Sequence, residues 1–133
     1  MGSCTEPTQA ALAAVSDFDL TLSPNPATAG SEATLSVEYD GPGEAAGGAG
    51  ALWECWTGEE WEPTHQILRD WAGGSGSPYI EPGTTPTIPA VGLMVPNSHN
   101  VAIPDVKPGV YRIRDEIWVA GEGLTGLAIV RVE

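Results

Sequence analysis

Val106-Lys107-Pro108-Gly109-Val110-Tyr111-Arg112-Ile113 opens the stretch that decides the fold, and the pattern runs on to Val119. From Val110 the residues alternate. Val110, Arg112, Arg114 and Glu116 share one face, while Tyr111, Ile113 and Ile117 share the other, interrupted at Asp115. A period of two over this length predicts a half-buried β-strand, and the Pro-Gly pair before it predicts a turn. Gly121–Gly126 then turns the chain, and Leu127–Val132 predicts a closing strand.

Working back towards the N-terminus, Asp17–Ser23 alternates with Phe18, Leu20 and Leu22 on one face. Pro24-Asn25-Pro26 ends it, and Glu32–Asp40 alternates again with Leu35, Val37 and Tyr39 inward. Gly41–Gly50 reads as a flexible Gly/Ala loop. Leu52–Thr57 and Glu60–Thr64 predict a hairpin around Thr57-Gly58-Glu59. Gly73–Ser77 reads as a second flexible loop, and recurrent prolines from Pro82 to Pro104 restrict any strand there to a short or edge position. Residues 1–16 read as a flexible tether of weak helical character, leaving 17–133 as one domain. About seven short strands and no long helix predict an all-β Greek-key sandwich.

The composition agrees. With 17 Gly and 12 Pro in 133 residues the chain is interrupted too often for long helices. The net charge of −13, with Lys107, Arg69, Arg112, Arg114 and Arg131 as the basic residues, repels phosphate backbones and argues against nucleic-acid binding. No segment approaches the ~18 apolar residues of a membrane-spanning helix.

The Pro108-Gly109-x-Tyr111-Arg112-Ile113 stretch resembles the corner leading into strand F of immunoglobulin-like domains, where a Tyr hydroxyl bonds to backbone a few residues upstream. The hairpin Ala51–Pro63 with its Trp61, the Pro82-Gly83 that follows, and Pro26-Ala27-Thr28-Ala29-Gly30 near the start resemble, in order, a family of bacterial immunoglobulin-like domains. The two cysteines are not placed as the inter-sheet pair of antibody domains. The resemblance implies a sandwich of about seven strands, a cell-envelope setting, and structural roles for Pro108, Gly109 and Tyr111.

Gly2-Ser3-Cys4 resembles the end of a bacterial lipobox, with Met1 where that motif carries Leu, so Cys4 is a candidate lipidation residue and membrane tether. A Cys4–Cys55 disulfide in an oxidising compartment is the alternative. Cys55, between Trp53 and Trp56 and next to Glu54, has none of the basic neighbours that activate a thiol and reads as an inert core residue.

Catalytic patterns are sparse. His65 has no second His or Cys at metal-ligand spacing, and His99 reads as a loop residue, so no metal or cofactor is expected. Glu54, Glu59, Glu60 and Glu62 cluster around the hairpin, which leaves a small hydrolase as the alternative to a binding or structural module. Trp53, Trp56, Trp61, Trp71 and Trp118 are more than one sandwich core holds. Trp53 and Trp56, three apart, point to opposite faces of a strand. The hairpin tryptophans Trp53, Trp56 and Trp61 are therefore the candidate contact residues for a protein or carbohydrate partner.

Overall fold

The computed structural model describes residues 4–13, 15–48, 50–68, 79–81, 83–84 and 90–133. Two antiparallel sheets pack face to face. The first contains β1 (Asp19–Ser23), β2 (Glu32–Glu38) and β7 (Asn97–Ala102) in the order β1-β2-β7. The second is built around β8 (Gly109–Val119), whose whole length pairs with β9 (Glu122–Val132). Along the other edge of β8 lie β3 (Ala45–Gly48) and β4 (Gly50–Trp56), end to end. Outside them, β6 (Ala90–Met94) pairs with β3 and β5 (Trp61–Leu68) pairs with β4.

The connections make a Greek key. β1 and β2 form one sheet, the chain crosses for β3 to β6, β7 returns to pair with β2, and β8 and β9 complete the second sheet. The result is an all-β sandwich, with nine strands among the described residues where about seven were expected. The two additional strands come from segments that carry little alternation. Gly41–Gly50, expected as a loop, contains β3, which pairs with β6 on one side and β8 on the other. Gly50 sits where a Cβ would overlap the Ile67 carbonyl. The loop around His99 is likewise β7, in which Leu35 faces His99 across the ladder.

Core positions follow the alternation. Phe18, just before β1, with Leu20, Leu22, Leu35 and Val37 from the first sheet, shares one core with Trp53, Ile67, Ile113, Ile117 and Val130 from the second, all buried. Trp53 stacks at a tilt on Tyr111, with ring centroids 5.1 Å apart, and fills the centre. Asp115 does not break the pattern of β8. It keeps the inward parity between Ile113 and Ile117 at 1% exposure, its carboxylate accepting from the Glu116 amide.

The N-terminal segment, expected as a flexible tether, is fastened across the second sheet. Cys4 and Cys55 form a disulfide, and the Thr5 amide donates to the Trp56 carbonyl at 2.7 Å. Pro7 is buried, a short helix α1 (Gln9–Leu12) starts on the Thr8 side chain, and the Trp61 indole donates to the Ala11 carbonyl. Further on, the Asp17 amide donates to the Thr125 carbonyl of β9, and Ala27 bridges Val132 in parallel. Residues 4–12 thus form a strap fastened to the β4–β5 hairpin.

Candidate functional site

The hairpin β4–β5 turns through Gly58, whose φ of 104° suits glycine. Its three tryptophans have separate fates. Trp53 belongs to the core at 0% exposure, because β4 is an interior strand between β5 and β8 and position 53 faces inward. It therefore cannot contact a ligand, contrary to the expectation for this residue. Trp56 and Trp61 lie on the outer face, stacked edge to face with centroids 5.6 Å apart. Both are half-buried and engaged by the strap, through the Trp56 carbonyl and the Trp61 indole. The patch proposed for a partner is occupied by the chain's own N-terminal segment. Trp118 is half-buried on β8, and Trp71 lies outside the described residues.

The glutamates divide similarly. Glu54 is buried and bonded to Arg112, whose guanidinium also sits 4.9 Å over the Trp61 ring. Glu59, Glu60 and Glu62 line a shallow depression of about 510 Å³ at the turn, from which Glu54 is absent. Among the described residues no group of three or more His, Cys, Asp or Glu side chains is placed to hold a metal ion.

Cys4 is also corrected. Its sulfur is bonded to that of Cys55, with Cα atoms 5.5 Å apart, and a thioether-linked lipid would need the same sulfur. Cys55 is buried as expected, but as half of a disulfide and not as a free thiol.

A larger concavity opens at the end of the sandwich, with a volume of about 660 Å³. Three pieces of chain wall it. One is the strap at Cys4, Thr5 and Glu6. The second is Thr64 and His65 of β5, with Tyr79 bridged to His65 in antiparallel fashion. The third is the corner Asp105–Tyr111 leading into β8. That corner has the geometry the sequence implied: the Tyr111 hydroxyl donates to the Lys107 carbonyl at 2.6 Å, with Pro108 and Gly109 making the bend between them. Burial raises the Tyr111 phenol above its ordinary pKa.

Within the cleft, Nδ1 of His65 and the Thr64 hydroxyl are 2.9 Å apart, which fixes the imidazole. Burial lowers the His65 pKa, so the ring is neutral at pH 7. Tyr79 stands edge to face on it, centroids 5.6 Å apart, and is 53% exposed. Among the described residues it is the one Phe, Tyr or Trp ring open to solvent. Sequence reasoning passed over Tyr79. The only signal was a lone aromatic beside a Gly/Ser stretch, and the strap that completes the cleft had been read as a tether. His65 is half-buried here, while His99, expected in a loop, lies on the inner side of β7.

No protein-family model matches this chain, and no curated protein matches it in sequence.

Proposed function

We propose that this chain is an extracytoplasmic, non-catalytic binding module of the immunoglobulin-like kind, belonging to a bacterial cell-envelope protein. The observation that carries this reading is the Cys4–Cys55 disulfide, which fastens the N-terminal strap and walls the cleft. Such bonds persist in oxidising compartments and are rare in the cytosol, and a disulfide that completes a fold belongs where it stays formed. The order of motifs from Pro26 to Ile113 supports the bacterial envelope setting. A binding role fits a preformed cleft of several hundred Å³, within the range of small-ligand sites.

The test is the thiol state in the native cell. The full-length gene product, tagged at its C-terminus, is fractionated and exposed to a maleimide before and after reduction. An extracytoplasmic protein unlabelled until reduction and unfolding supports the reading. Two reactive thiols on a cytoplasmic protein would sink it.

A further inference from the structure

We propose that the cleft between Tyr79, His65 and the Asp105–Tyr111 corner is a binding site for a neutral saccharide, with the Tyr79 ring as the stacking platform. The inference rests on the binding-module reading above and gives that module its ligand class.

Four observations select the ligand. First, Tyr79 is the exposed aromatic ring among the described residues and lines the concavity of about 660 Å³. A ring residue 53% exposed there offers stacking area to a ligand with an apolar face of its own. His65 holds that ring edge to face, and the bridge between residues 65 and 79 ties its backbone to β5. The platform is therefore preset.

Second, the polar groups around it suit hydroxyls. Glu6 and Asp105 are exposed acceptors at the rim, Lys107 adds donors, and among the described residues His65 Nε2 has no hydrogen-bond partner. Third, Val106, Pro108 and Val110 give the wall apolar surface, so the ligand must present both apolar and hydroxyl edges. A pyranose does so, with C–H groups on its faces and hydroxyls round its rim. Fourth, the net charge of −13 and the two rim carboxylates oppose an anionic sugar or a phosphate. A cation would share the cleft with Lys107, and Tyr79 is the one exposed aromatic ring among the described lining residues.

The experiment is an amide-resolved NMR titration of the oxidised full chain with cellobiose, maltose, mannobiose and N,N′-diacetylchitobiose, with spermidine as the cationic probe. The expected result is saturable shifts at His65, Tyr79 and Lys107–Tyr111 with at least one sugar. Tyr79→Ala should then weaken that sugar about tenfold, and Tyr79→Phe should largely preserve it. Both exposed-site variants should melt with the parent, and Asp105→Asn should weaken binding several-fold. The proposal is overturned if no saccharide shifts these amides up to its solubility limit, if Tyr79→Ala binds unchanged, or if only spermidine titrates the cleft. In that last case the binding-module reading survives its ligand class, while compartment and thiol state test that reading separately.

Discussion

Nε of Arg112 donates to Oε1 of Glu54 at 2.7 Å, across the β4–β8 ladder, with the Glu54 side chain 3% exposed. The pair is opposite in register, and the guanidinium also lies over Trp61. Burying a carboxylate is costly, and here the neighbouring strand supplies the compensating charge.

Removing one partner should hurt more than removing both. Glu54→Ala is expected to destabilise by about 3 kcal/mol, because Arg112 is left with a ring and no anion. The double variant Glu54→Leu/Arg112→Leu should lose less than the single. Urea melts of the three proteins check it, and a single variant as stable as the parent would show that the pair contributes nothing.

The disulfide closes a loop between residues 51 apart in sequence. Constraint of the unfolded chain over such a loop is worth about 4 kcal/mol at most. Cys4→Ser/Cys55→Ala should lower the denaturant midpoint accordingly, and reduction of the native protein should do the same. It should also free residues 5–12 for proteolysis and move Trp56 and Trp61 emission to longer wavelength. A strap equally protected with and without the disulfide would mean that its hydrogen bonds suffice.

These two relationships show where the sequence was legible. Period-two alternation announced β1, β2, β8 and the hairpin because one face of each is buried and the other wet. It could not announce β3, whose Ala and Gly side chains carry no contrast, nor β7, whose Asn, Ser and His residues look like a loop. It was blind to the strap, since residues 4–12 gain their structure from Cys55, Trp56 and Trp61, each more than forty residues away. For the same reason the tryptophans of the hairpin read as a surface patch. Their cover is distant in sequence, and so is the third wall of the cleft that Tyr79 enters.

Tyr111 could be read locally, because both ends of its bond lie within one turn. Its ring is 6% exposed, and the hydroxyl has the Lys107 carbonyl as partner. Tyr111→Phe should cost about 0.5–1.5 kcal/mol, with the fold and the slope of the denaturation curve kept. An unchanged midpoint would deny the corner any contribution to stability.

The last prediction concerns pH and His65. Burial against β5 and Tyr79 favours the neutral imidazole, so the folded protein holds its proton more weakly than the unfolded chain, whose pKa is near the ordinary 6.5. As pH falls through that value the unfolded state takes up a proton before the native state does. Stability therefore declines from neutral pH downward until the folded imidazole also protonates, and it is fully present above the unfolded pKa. Among the described residues three charged groups line the same cleft, Glu6, Asp105 and Lys107, and all are exposed. His65→Gln keeps a polar side chain and removes the titration. Its midpoint in urea should fall less steeply than the parent's between neutral pH and about pH 5. Parallel slopes in the two proteins would assign the acid sensitivity to other groups and leave His65 as a passive wall of the cleft.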